Sequence, residues 1–154
     1  MFKVTNVEKS LRQRALEYLA KREYSFAELS QKLKAYADEE DDIPALLNDF
    51  KARGWLSDAR FTEQIVHARK AKFGSAKVAH ELREKGVADE LIANAVETLK
   101  ETELDNAREV WRKKFKAGPL NREEWAKQAR FLQSRGFGFD IIKNVLNSKF
   151  EDDN

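Results

Sequence analysis

Four bulky apolar residues recur three times along the chain with unchanged spacing. Leu16, Leu33, Ile43 and Leu47 return 49 residues later as Ile65, Leu82, Ile92 and Val96, and after 50 more as Phe115, Leu132, Ile142 and Leu146. A period of this length marks one supersecondary unit that cannot bury its own apolar face, so neighbouring copies must stack. Such arrays offer an extended surface to a large partner and seldom enclose a catalytic pocket.

Each copy reads as three helices. The first carries Phe61/Ile65 in copy two and Trp111/Phe115 in copy three, an i, i+4 pair on one face. Copy one has Arg12 at the aromatic position and offers Leu11, Leu16 and Leu19 instead. The second helix ends near Leu33, Leu82 or Leu132. The third uses Ile43/Leu47, Ile92/Val96 or Ile142/Leu146, again at i, i+4. Thr5…Glu8, Ser25…Glu28 and Asn121…Glu124 have capping-box spacing. Gly54, Gly86 and Gly136 each follow a basic residue and suit the left-handed position that closes a helix. Pro44 fits a first helical turn, where its missing N–H costs nothing.

These signals predict helices near 5–22, 26–37, 43–53, 58–72, 75–85, 89–101, 103–117, 122–135 and 139–149. The fold class is all-α, with three-helix repeats at 1–54, 55–101 and 102–150 and an acidic disordered tail at 151–154. Between Gly86 and Gly118 there is neither Gly nor Pro, which leaves open a single bent helix over 89–117. The junction Gly54-Trp55-Leu56-Ser57-Asp58-x-x-Phe61 reads as a helix stop, a buried Trp-Leu pair, an Asp cap and a core Phe. Asp38-Glu39-Glu40-Asp41-Asp42 reads as a solvated loop.

Composition narrows the function classes. Hydrophobic residues make up 42% of the 154, enough for a core, and charged residues 36%, which suits solvated helices. Cysteine is absent, which removes disulfides, thiolate zinc sites and thiol nucleophiles. MFKVTNVEKS has no apolar signal-peptide core, and no run reaches the ~18 apolar residues of a membrane span, so a soluble cytoplasmic protein without membrane contact is expected. His67 and His80 fall in different helices without metal-ligand spacing. Gly136-Phe137-Gly138 lacks the strand and third glycine of a nucleotide loop, and there is no Walker A pattern. The reading is a protein that is not an enzyme and holds no metal or cofactor.

Charge is unevenly spread. Residues 1–50 hold 8 basic and 10 acidic side chains, 51–100 hold 10 and 7, and 108–135 hold nine and three. Two basic runs cover the first and second helices of their copies: Arg69, Lys70, Lys72, Lys77, Arg83 and Lys85, then Arg112, Lys113, Lys114, Lys116, Arg122, Lys127, Arg130 and Arg135. They read either as solvated faces whose stems cover apolar surface or as a positive stripe for phosphates or an acidic protein surface. Apart from Arg122, these residues are the candidate partner-binding set. A major-groove helix-turn-helix reader is disfavoured, because the third helix of copy two opens on Asp89-Glu90, which would face a polyanion. Trp55, Trp111 and Trp125 lack the regular spacing of Myb-type repeats.

The landmarks resemble those of the RecX family, regulators of the RecA recombinase. They are Ala15-Leu16-x-x-Leu19-x-x-Arg22-x-x-Ser25-x-x-Glu28-Leu29-x-x-Lys32-Leu33, then the junction above. Arg69, Phe73-Gly74 and Glu81-Leu82-x-x-Lys85-Gly86-Val87 follow, and Phe131-Leu132-x-x-Arg135-Gly136-Phe137 with Ile142 and Leu146 completes them. The chain departs from the pattern at Lys34-Ala35-Tyr36-Ala37, where the family tends to end a helix on Lys-Gly, and in copy three, which has Asn121 after a Gly-Pro break. The resemblance implies an elongated, curved right-handed helical array that acts as a monomer without catalysis. It implies binding to RecA and to its filament on single-stranded DNA, with inhibition of filament growth, ATPase, strand exchange and SOS co-protease activity. Direct contact with DNA is a further route. The alternative is a helical nucleic-acid-binding protein that acts without a protein partner.

Overall fold

A computed structural model describes residues 9–152, with the side chains of 149–152 left aside. Among the described residues the structure is all-helical, with no strand. Among them nine α-helices follow in order: α1 Leu11–Lys21, α2 Phe26–Leu33, α3 Ile43–Ala52, α4 Asp58–Arg69, α5 Ser75–Glu84, α6 Asp89–Lys100, α7 Glu103–Lys114, α8 Arg122–Ser134 and α9 Phe139–Asp152. None is long and apolar enough to cross a membrane, among the described residues. A short 3-10 segment at Lys34–Tyr36 follows α2 where the acidic loop takes over from the expected Lys-Gly stop.

Local chemistry explains most boundaries. The first helix begins at Leu11 and not at residue 5, because Ser10 and Gln13 form a reciprocal capping box: Ser10 Oγ accepts from Gln13 N and Gln13 Oε1 from Ser10 N. The Thr5…Glu8 box lies outside the described residues. Ser25 Oγ accepts from Glu28 N at 3.0 Å, and Asn121 Oδ1 from Glu124 N at 2.9 Å. Neither glutamate closes the box: Glu28 turns to cations, and Glu124 accepts from Leu120 N. Pro44 stands in the first turn of α3, whose cap is Asp42 at the end of the exposed acidic loop. Gly54, Gly86 and Gly136 have φ of 79°, 75° and 93°, so each closes its helix in the left-handed region as predicted. No single helix runs over 89–117, since α6 stops at Lys100 and Glu101-Thr102 intervenes before α7. α9 continues to Asp152, so the first two residues of the predicted tail are helical; the last two lie outside the described residues.

The chain forms two compact units, Met1–Phe61 with Lys85–Val87, and Thr62–Glu84 with Ala88–Asn154. In the first, Leu11, Ala15, Tyr24, Leu29, Leu33, Leu47, Phe50 and Leu56 make the core. The repeat position Leu16 is exposed while its neighbour Ala15 is fully buried, because the first helix of copy one presents Leu11 and Ala15 inward. Arg12, which stands where an aromatic was expected, lies over the rings of Phe50 at 5.1 Å and Trp55 at 5.6 Å and pairs with Asp49. Trp55 is 41% exposed and not buried as the junction suggested; Leu56 and Phe61 are core. The cap of α4 is Ser57, which accepts from Arg60 N, while Asp58 accepts from Phe26 N and so serves the start of α2.

A buried carboxylate ties this unit together. Glu28, its side chain 8% exposed, receives Arg22 Nη2 at 2.7 Å and Lys85 Nζ at 3.0 Å. Burial alone would raise its pKa, but the hydrogen bonds from Arg22 and Lys85 outweigh that and hold it below the usual glutamate value. Ser25 Oγ donates to Lys85 O, so the same cap that starts α2 also fixes Lys85.

In the second unit α5 packs on α6, and α7 and α8 pack on α9. Ala107, Val110, Trp111, Leu132, Phe137, Ile142, Val145 and Leu146 form the core of copy three. The buried indole of Trp111 donates to Gln128 Oε1 at 2.7 Å, which satisfies its N–H away from water.

Candidate partner-binding cleft

The structure sorts the thirteen candidate cations by what they touch. Arg69 is taken by Glu81 in a two-pronged pair at 2.8 and 3.0 Å, which raises the guanidinium pKa. Lys85 is held by Glu28. Arg112 bends back to Glu109 at 2.8 Å, which raises its pKa as well. Lys77 donates to Ser134 O at 3.2 Å and lies over the Phe73 ring. Arg83 lines a separate groove along α6 that includes Asp89 and Glu97. Lys70, Lys116, Lys127 and Arg130 are exposed, as is Arg122 beside the set.

The remaining four converge. Lys72, from the turn after α4, meets Lys113 and Lys114 of α7 and Arg135 at the end of α8 around a cleft of about 380 Å³. Its other lining residues are Ala71, Val110 and Phe131, so no acidic side chain contributes to it. Arg135 is held over the rings of Phe131 at 5.0 Å and Phe73 at 5.7 Å, and Lys114 over Phe131 at 5.6 Å. Cations over aromatic faces are positioned before any ligand arrives.

Backbone contacts hold the parts of this cleft in register. Gly74 N donates to Arg135 O at 2.7 Å and Ala76 N to Gly136 O at 3.2 Å. The buried Glu103 at the start of α7 accepts from Ser75 N at 2.8 Å and from Ser75 Oγ at 3.3 Å, capping α5 from another repeat. The turn carrying Lys72, the helix carrying Lys113 and Lys114, and the stop carrying Arg135 are thus tied to one another within one unit.

Two family models match the chain: the second three-helix domain of RecX over residues 57–96 and the third over residues 101–146. The chain belongs to the RecX family. It is 46% identical to the regulatory protein RecX of Leptothrix cholodnii over 137 residues, covering 89% of this chain and 87% of that protein. Against the RecX of Chromobacterium violaceum identity is 43%, covering 94% of each. Its fold is shared with the crystal structure of RecX from Lactobacillus salivarius, at a TM-score of 0.77 and 20% identity over 92% of this chain and 94% of that one. The Leptothrix and Chromobacterium relatives are named regulatory proteins, which is not an enzyme class.

Within this RecX chain, sequence reasoning missed the apolar half of the cleft. Phe131 and Phe73 were visible as family landmarks, but their role as the surface on which Arg135 lies depends on α8 reaching the turn after α4. Glu103 carried no local cue, since its partner Ser75 is 28 residues away.

Proposed function

We propose that this RecX protein binds the RecA recombinase and its filament on single-stranded DNA and restrains filament growth. It thereby lowers ATPase, strand exchange and SOS co-protease activity in homologous recombination and DNA repair, acting as a cytoplasmic monomer. Membership of the RecX family, with identities of 34–46% over most of the chain, carries the reading. The cleft supports it by offering four clustered positive charges to a large partner. The test is RecA ATPase on single-stranded DNA with increasing amounts of this protein. Hydrolysis is expected to fall with dose, and an unchanged rate at several-fold molar excess refutes the proposal. Capture of DNA-free RecA at moderate salt separates this reading from binding to nucleic acid alone, for which log affinity falls linearly with log salt.

A further inference from the structure

We propose that the cleft formed by Lys72, Lys113, Lys114, Arg135, Val110 and Phe131 takes a short acidic peptide segment bearing one apolar side chain. The inference rests on the reading that the basic stretches are the working surface, and it names the chemistry of the partner there.

The charge is the first reason. Elsewhere in this unit cations near carboxylates pair with them: Arg69 with Glu81, Arg108 with Asp105, Arg112 with Glu109. Among the described residues none of the four cleft cations forms a salt bridge, Lys113 feels Glu109 only through the longer-range field of its own helix, and no acid lines the cleft. Four like charges around one depression repel each other, and an anion entering it relieves that repulsion.

The floor separates a peptide from a nucleic acid. Ala71, Val110 and Phe131 supply the apolar part of the lining. A phosphodiester has no apolar group to place on such a floor. A base could stack on an aromatic face, which is how single strands are usually held. Here the Phe131 face already carries Arg135 and Lys114, and the Phe73 face carries Arg135 and Lys77. An acidic peptide fits both halves: carboxylates reach the cations, and one aliphatic side chain, unlike a flat base, needs no open ring face to touch the apolar lining of Ala71, Val110 and Phe131. At about 380 Å³ the cleft lies at the small end of ligand sites, which run about 300–1,000 Å³. It accommodates a few residues and not a folded surface.

The experiment is fluorescence anisotropy of three labelled probes titrated with the full chain. They are a decapeptide of Asp and Glu with one central Leu, the same peptide with Ser for Leu, and a dT oligonucleotide. The Leu peptide is expected to bind, to weaken at least tenfold in Lys72→Glu/Lys114→Glu, and to lose about three- to tenfold on Leu→Ser. Circular dichroism checks the fold of the variant, and Lys72→Gln/Lys114→Gln replaces it if the reversal fails to fold. Equal binding of the Leu and Ser peptides overturns the proposal, as does tighter binding of the oligonucleotide that is lost in the same variant. The RecA ATPase assay runs alongside. Inhibition of RecA without peptide binding removes this inference alone, and peptide binding without inhibition removes the RecA reading alone.

Discussion

Replacing Gly74 by alanine places a methyl group against the backbone of the α8 stop. The new Cβ would meet Gly136 O, with Gly136 C at 2.5 Å and Phe137 N at 2.6 Å. All three are main-chain atoms, so no side chain can swing aside, and the two strands of backbone must separate by close to 1 Å to reach ordinary contact distance. That separation strains or breaks Gly74 N–H to Arg135 O and Ala76 N–H to Gly136 O. Two such bonds are worth about 0.5–1.5 kcal/mol each, and overpacking adds about 1–3 kcal/mol. Because the strain is relieved partly by breaking the bonds, the terms overlap, and a loss of about 2–4 kcal/mol is expected. For a chain of this size that lowers the thermal midpoint by about 5–15 °C, read by circular dichroism at 222 nm. Gly138→Ser is the matched control. It stands two residues after Gly136, meets nothing within 4 Å, and precedes α9 where serine is a good cap, so its midpoint should hold or rise slightly. A Gly74→Ala midpoint within about 1 °C of the parent would refute the close approach of the two turns.

Two further outcomes follow from the ion pairs. Glu28→Gln should cost about 1–2 kcal/mol at pH 7, since Arg22 and Lys85 stay partly exposed and water takes up much of their charge. Because the folded pKa of Glu28 is depressed, its contribution is complete above the unfolded value of about 4.3 and is lost as pH falls through the lower folded value. Urea midpoints of parent and variant should therefore differ fully at neutral pH and converge as pH falls below the depressed folded value, and a constant gap would show that the charge is not the source. In the RecA ATPase assay, Lys113→Glu/Lys114→Glu should weaken inhibition at least tenfold while Arg112→Glu changes it less than about threefold, because Arg112 is turned toward Glu109 and away from the cleft lining. Equal effects would move the working surface elsewhere on α7.

The helices were legible from the residues because their determinants are local. Ser25 starts α2 and Asn121 starts α8 by bonding an amide three residues on, and Gly136 ends α8 because only glycine takes its φ cheaply. Copy one was less legible. Its repeat position Leu16 is apolar but exposed, and Trp55, read as buried, stays half-exposed with the Arg12 guanidinium over its ring.

Basic residues could be counted along the chain, but their availability could not. Pairing of Arg112 with Glu109 is a neighbour effect on one helix and was open to inspection, whereas Lys85 is neutralised by Glu28 across 57 positions. Repeat length, helix type and helix ends are thus properties of short stretches, set by backbone preference and apolar spacing. Which cations stay uncompensated is set by distances between residues far apart in the chain, because ion pairing and hydrogen bonding act through space, at contact distances that sequence spacing does not give. Packing of α7 and α8 against the turn after α4 is what leaves Lys72, Lys113, Lys114 and Arg135 around one apolar floor with no acid among them.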